Sequence, residues 1–309
     1  MAIKPEALRP GDMIGLVAPA GPVRDEELEE SIERLYCLGY SVRLGRSANK
    51  EYGYLAGEDS CRKDDLEEMF LDTEVKAIFC LRGGYGSLRI INQIDFDVIR
   101  RHPKIFVGYS DITALHIAIR QITGLVTFHG PMASELSGRR YDHESWSTLF
   151  SVISGQETPS YVRNENFFSI VPGYAEGELI GGNLSLLCST LGTPFEVDTK
   201  DKILLIEEVD EEVYVIDRML TQLRLAGKFD AVRGVILTDF RLLKTRSNKP
   251  SIPFREMIEQ FFSPLGIPCF YGLSAGHCRL NFTLPIGVRV SMDSGRGLVQ
   301  LMENPVIPS

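Results

Sequence analysis

Three short apolar runs, each cut off by a turn signal, constrain this chain more than any other feature. Residues 13–18 (MIGLVA) stop at Pro19-Ala20-Gly21-Pro22. Residues 77–81 (AIFCL) stop at Arg82-Gly83-Gly84-Tyr85-Gly86, and residues 104–109 (KIFVGY) stop at Ser110. Runs this short and this apolar suit strands buried on both faces. Segments with helical spacing lie between them. Leu28, Ile32, Leu35 and Tyr36 share one face of residues 25–38, acidic residues crowd the first turn, and Gly39 is placed to end it. Leu66, Met69 and Phe70 share a face of residues 63–71. Residues 40–44 and 124–128 add strands, and residues 111–121 add a helix. Strands alternating with helices require right-handed crossovers, which build a parallel sheet covered on both faces. The N-terminal half is therefore expected to be α/β, a doubly wound, mostly parallel sheet.

At about 150 residues per domain, a chain of 309 residues has room for two. Residues 137–173 break the pattern: they hold Gly138-Arg139-Arg140, Asp142-His143-Glu144, Pro159 and Asn164-Glu165-Asn166, with weak periodicity. They read as a connector between an N-terminal domain, 1–136, and a C-terminal domain, 174–309. Trp146, the single tryptophan, marks a part of it that packs down. Beyond it, Gly181-Gly182-Asn183 opens a helix through residue 191, and residues 202–206 (KILLI) form a strand that meets Glu207-Glu208. Helices at 216–225 and 254–262 alternate with strands at 232–237 and 268–272. Residues 284–292 and 297–302 resemble a late β meander, so the second domain is expected to be mixed α/β.

Composition excludes several function classes. Lys plus Arg is 33 against 42 for Asp plus Glu, a formal net charge of −9. A chain that binds nucleic acid needs a basic stripe to replace phosphate counterions, and an acidic pI near 5.2 argues against that role. No apolar run approaches the roughly 18 residues of a membrane-spanning helix. The opening MAIKPEALRPGD has no apolar core or cleavage signature, so no secretory signal is expected. Cys37, Cys61, Cys80, Cys188, Cys269 and Cys278 match no paired spacing and are expected as reduced thiols, which fits a cytoplasmic protein. His102, His116, His129, His143 and His277 show no HExxH or similar spacing, so neither a metal nor another cofactor is expected.

Ligands of open parallel sheets bind outside the carboxyl ends of the strands, and three such ends carry reactive groups. Ser110, in Val107-Gly108-Tyr109-Ser110-Asp111-Ile112, stands on a sharp turn between a strand and a helix. Such a turn exposes a hydroxyl and aims the next N–H at a developing oxyanion; the competing reading is a helix N-cap. The loop Arg82-Gly83-Gly84-Tyr85-Gly86-Ser87 satisfies neither GxGxxG nor a P-loop, and reads as an anion cradle or as a plain turn. Glu207 and Glu208 end a strand. Consecutive strand residues face opposite ways, so the two cannot share one role. Among the histidines, His129 could line a cleft, while His277 sits in the loop Ser274-Ala275-Gly276-His277-Cys278, suited to acid–base work. A nucleophile needs a base, and the base an orienting carboxylate. Ser110, His277 and Glu207 can supply these three, although local chemistry alone does not select them.

Six segments, in order, resemble the LD-carboxypeptidase family of serine peptidases, which includes the microcin C self-immunity peptidases. They are Gly15-Leu16-Val17-Ala18-Pro19-Ala20-Gly21, Leu81-Arg82-Gly83-Gly84-Tyr85-Gly86, and Val107-Gly108-Tyr109-Ser110-Asp111-Ile112-Thr113. Gly181-Gly182-Asn183-Leu184 follows. Then come Leu205-Ile206-Glu207-Glu208 with Tyr214-Val215-Ile216-Asp217-Arg218-Met219-Leu220, and lastly Gly276-His277. The resemblance implies a two-domain enzyme with a Ser-His-Glu triad assembled across a domain cleft. Ser110 would be the nucleophile, His277 the general base and Glu207 the orienting carboxylate, with the amides of Gly84 and Asp111 as the oxyanion hole. Arg82 and Arg218 would bind a substrate carboxylate. It further implies release of the terminal D-alanine from murein tetrapeptides, in cytoplasmic cell-wall recycling, by a homodimer. Cys278-Arg279-Leu280-Asn281 departs from the small or acidic residues of many relatives.

Two other readings compete. An immunity peptidase for aminoacyl-nucleotide conjugates would share the triad and need an aromatic clamp, for which Trp146 and Tyr141 are the candidates. A non-catalytic two-domain binder of small molecules would need no triad.

Overall fold

The computed structural model describes residues 2–156, 158–241 and 250–308, the side chain of Arg139 excepted. The chain divides into two compact units. Unit 1 is Met1–Glu157 with Phe282–Gly287 and Asn304–Ser309; unit 2 is Thr158–Asn281 with Val288–Glu303.

In unit 1 the chain runs β1 (Met13–Val17), α1 (Asp25–Cys37), β2 (Ser41–Leu44), α2 (Asp59–Leu71), β3 (Val75–Cys80), α3 (Ser87–Ile90), α4 (Phe96–Arg101), β4 (Ile105–Gly108), α5 (Thr113–Thr123), β5 (Thr127–His129) and α6 (His143–Ser154). The sheet order is β2-β1-β3-β4-β5, and every one of these pairs is parallel. The strand order reverses between β1 and β3, the crevice where such sheets receive ligands. The expected doubly wound, mostly parallel sheet is thus present. The three apolar runs became its central strands because both faces are covered: Ile105, Phe106 and Val107 are wholly buried, and α5 is buried on nearly every face. Asp25, Glu26 and Glu27 occupy the first turn of α1, where the helix dipole favours them, and Leu28 and Leu35 face the core.

Unit 2 begins with β6 (Ser160–Val171) and β7 (Tyr174–Asn183). Then follow α7 (Leu184–Ser189), β8 (Lys202–Glu207), α8 (Val213–Leu225), β9 (Gly234–Thr238), α9 (Phe254–Phe262) and β10 (Cys269–Leu273). The chain next gives β11 (Leu284–Ile286) to unit 1, and returns for β12 (Arg289–Asp293) and β13 (Leu298–Leu301). Strands β7, β8, β9 and β10 are successively parallel, with α7, α8 and α9 as crossovers. The others pair antiparallel, and the ring β10-β6-β13-β12-β7-β8-β9 closes into a barrel. Closure removes every strand edge.

Three expectations change. The connector, 137–173, holds ordered elements: α6 belongs to unit 1 and the long strand β6 to unit 2, with Glu157 outside the described residues. The late meander is divided, because β11 pairs antiparallel with β5 while β12 and β13 complete the barrel. Residues 181–183 end a strand, and the helix after them is only Leu184–Ser189. Among the described residues no helix is long and apolar enough to cross a membrane.

Candidate active site

Each unit carries one set of reactive groups at the carboxyl ends of its parallel strands. In unit 1, β4 ends at Gly108 and the chain turns sharply into α5. Ser110 stands on that turn with φ +63°, one of three non-glycine residues in the left-handed region among those described. Such a backbone costs about 1–3 kcal/mol and persists only where its surroundings hold it. It is the geometry of a strand–turn–helix elbow. The N-cap alternative is not realised: the short helical turn Ser110–Ile112 has no side-chain cap bond.

The glycine loop after β3 packs against this turn. A Cβ on Gly83 would fall 2.9 Å from Ser110 Cβ and 3.1 Å from its Oγ, so the backbone lies closer than any side chain allows. The Gly21 N–H donates to the Gly83 carbonyl at 2.9 Å, tying this loop to the turn after β1. Asp111 links the loop to the elbow from the other side. Its Oδ2 accepts from the Ser87 N–H at 2.8 Å, and its carbonyl accepts from Ser87 Oγ at 2.6 Å. Burial pushes the Asp111 carboxyl up, partly offset by the donors at Ser87 and Gly86 and by the charge of Arg62. The Asp111 side chain is therefore spent on structure; the Gly83 backbone lies against Ser110 and the Asp111 N–H, and Gly84 follows it in the same loop, against Gly21. Arg82 is exposed and donates from Nη1 to the Pro22 carbonyl at 2.9 Å.

Two histidines of unit 1, His116 and His129, are buried in its core. His116 is wholly buried, with Nε2 on the Gly108 carbonyl at 2.8 Å, and burial lowers its pKa to about 3. His129 lines no cleft. It is also wholly buried, edge-on to Tyr109, because its strand lies between β4 and β11. Neither candidate for an aromatic clamp is placed to serve as one. Trp146 is buried against Phe79 and Phe150, and the Arg34 guanidinium covers the Tyr141 ring at 4.2 Å.

In unit 2, β8 delivers Glu207 and β10 leads into the loop that holds His277. Glu207 is wholly buried, and its Oε2 accepts from His277 Nδ1 at 2.6 Å. A proton held on Nδ1 leaves Nε2 as the acid–base nitrogen. Gly276 makes this approach possible, since with φ +82° a Cβ there would lie 2.9 Å from the Glu207 carboxylate. The Gly276 N–H is held by Asn281 Oδ1 at 2.8 Å, which closes the loop. No motif marks Asn281 for this role; its spacing of five residues from Gly276 is the local signal.

Glu208 faces the other way, as strand alternation requires. It accepts from Asn183 Nδ2 at 3.0 Å, Ser185 N at 2.8 Å, Ser185 Oγ at 2.7 Å and Val209 N at 2.9 Å. It anchors the start of α7. Burial pushes its carboxyl up and the Cys278 thiol up to about 12, so Cys278 is no thiolate nucleophile. Arg218 is exposed on α8. Among the described residues no group of three or more His, Cys, Asp or Glu gathers to hold a metal.

Comparison with known proteins adds the chemistry these parts serve elsewhere. Residues 14–130 match the LD-carboxypeptidase N-terminal domain, and residues 176–292 the LD-carboxypeptidase C-terminal domain. The chain is 46% identical to a probable murein peptide carboxypeptidase of Bacillus subtilis (strain 168) over 292 residues, 94% of this chain and 92% of that protein. The muramoyltetrapeptide carboxypeptidase from Oxalobacter formigenes superposes with a TM-score of 0.84 at 30% identity, covering 94% of this chain and 97% of that one. The microcin C7 self immunity protein MccF superposes with a TM-score of 0.90 at 23% identity, covering 99% and 100%, a likeness of fold.

Proposed function

The chain belongs to the LD-carboxypeptidase family, and on that premise we propose that it is a serine-type carboxypeptidase that releases the terminal D-alanine from murein tetrapeptides. The observation that carries the reading is the 2.6 Å bond between buried Glu207 and His277 Nδ1. A carboxylate placed there holds the imidazole in one tautomer and stabilises it once charged, as peptide hydrolysis by a serine requires.

In the proposed mechanism, Ser110 Oγ attacks the carbonyl of the L,D-peptide bond as His277 Nε2 takes its proton. The Gly84 and Asp111 N–H groups hold the oxyanion, an effect of about 3 kcal/mol for each donor. Collapse breaks the C–N bond, and His277 gives the proton to the leaving amine of D-alanine. Water, deprotonated by His277, then hydrolyses the acyl ester and frees Ser110. Arg82 and Arg218 are the candidates for holding the substrate's carboxylates, as guanidinium forks do. The proposal includes cell-wall recycling in the cytoplasm by a homodimer, which rests on the sequence resemblance; six free thiols suit a reducing compartment.

The test is mass spectrometry of murein tetrapeptides, with lysine or diaminopimelate at the third position, incubated with the protein and with Ser110→Ala. Loss of one D-alanine with the wild type alone is expected. Turnover that survives in Ser110→Ala would remove the nucleophile from the proposal.

A further inference from the structure

Arg62 has no part in the mechanism above, yet it is the largest fully buried side chain among the described residues. It rises from the first turn of α2. Its Nη1 donates to the Pro19 carbonyl and, at 3.0 Å, to the Gly86 carbonyl, while Nη2 pairs with Asp59. Asp59 also takes Arg89 of α3, from Nε at 3.0 Å and Nη2 at 2.9 Å. Pro19 opens the turn after β1, and Gly86 closes the glycine loop after β3. One guanidinium therefore holds both loops that flank the reversal of strand order.

The contact continues to the elbow. The Gly86 carbonyl and the Ser87 N–H belong to a single planar peptide. Arg62 holds its oxygen, and the Asp111 carboxylate holds its N–H at 2.8 Å. Ser87 Oγ adds a second tie to Asp111 at 2.6 Å. In the proposed mechanism Asp111, which follows Ser110, carries one of the two oxyanion N–H groups, and Gly84, in the glycine loop that ends at Gly86, carries the other. A buried guanidinium is costly to desolvate, and stability alone is commonly served as well by an apolar side chain. What the fork supplies, and an apolar group does not, is fixed direction at two carbonyls.

We propose that Arg62 is a positioning residue for catalysis, which sets the Gly84 and Asp111 donors through the Pro19 and Gly86 carbonyls without touching substrate. The inference rests on Ser110 being the nucleophile. Ser110→Ala tests that premise, and variants at Arg62 test the inference. Three measurements on the folded protein separate the effects: kcat and KM on the murein tetrapeptide, the melting temperature, and affinity for a peptide boronic acid. The boronic acid adds to the serine hydroxyl as a tetrahedral anion and so reports on the oxyanion hole.

Arg62→Met is expected to lower kcat about 10²-fold, the loss typical of a misplaced donor, with KM within about 3-fold of wild type. Boronate affinity should fall in parallel. Arg62→Lys keeps the charge without the fork and should recover part of the loss. A kcat within about 3-fold of wild type in folded Arg62→Met overturns the inference. So does a rise in KM with kcat kept, the mark of a loosened binding surface. If Arg62→Met does not fold, Arg62→Lys decides: a wild-type kcat refutes the role, and a loss of about 10-fold at unchanged KM supports it.

Discussion

Glu207 is wholly buried against His277, while Glu208, one residue on, is held by Asn183, Ser185 and Val209. The same side chain thus serves two purposes, decided by which side of β8 it leaves. Alternation along a strand made that division legible in the sequence, but it did not say which glutamate meets a histidine. That pairing joins residues 207 and 277, and no local rule spans such a separation; only the family resemblance pointed to it. Charge is what the site needs at position 207. Glu207→Gln keeps the shape, but its amide can offer a donor to Nδ1 and favour the wrong tautomer. We expect kcat to fall on the order of 10³–10⁴-fold, with the melting temperature little changed. Single-turnover kinetics beside a thermal melt checks this, and a loss under about 10-fold would remove Glu207 from proton transfer.

Glu208 belongs to the scale of elements, because it fastens α7 to the end of β8. Its four donors favour the ionised form, while burial disfavours it more, so the folded pKa lies above the ordinary value. The sign follows from proton linkage. The folded state binds this proton more tightly than the unfolded chain does. The stability it confers is complete below the unfolded pKa of about 4.3, and is lost as pH rises through the folded value. Glu208→Gln has no such titration. Urea unfolding of wild type and variant from acid to neutral pH should show the stability gap narrow as pH rises. A gap that widens would mean that the hydrogen bonds outweigh burial. Elements with strong patterns were legible in the same way: the apolar runs became β1, β3, β4 and β8 because burial on both faces demands such runs. Strand β6 was not legible. Over Ser160–Val171 only Tyr161 is buried, so the alternation that marks a half-buried strand is missing, and Arg163, Asn164, Glu165 and Asn166 read as a loop. Its place comes from pairing with β10 and β13, residues far along the chain.

For the whole molecule, the decisive fact is that the units are not continuous in sequence. A contiguous division at 136 and 174 follows from reading neighbours, whereas the chain returns to unit 1 at Phe282–Gly287 and again at Asn304–Ser309. Both returns complete the core. Leu284, Pro285 and Ile286 pair with His129, Phe128 and Thr127, and cover the edge of β5. Val306 is buried, Ile307 bonds with the backbones of Pro5 and Ala7, and Asn304 reaches the Gly155 carbonyl at 3.1 Å. An isolated fragment of residues 1–157 would keep β1 to β5 but expose the edge of β5 and the apolar bed of Val306. An uncovered, apolar strand edge is a template for association. We therefore expect this fragment to aggregate, or to melt without cooperativity, where the full chain melts cooperatively. A fragment of residues 1–136 should fare worse, since it also loses α6, whose Trp146 and Phe150 pack on Phe79. Circular dichroism melts with size-exclusion chromatography decide the matter. A monomeric 1–157 with a cooperative transition near that of the full chain would show that the returning segments only decorate a core already complete, and that the sequence-contiguous division was sufficient for folding.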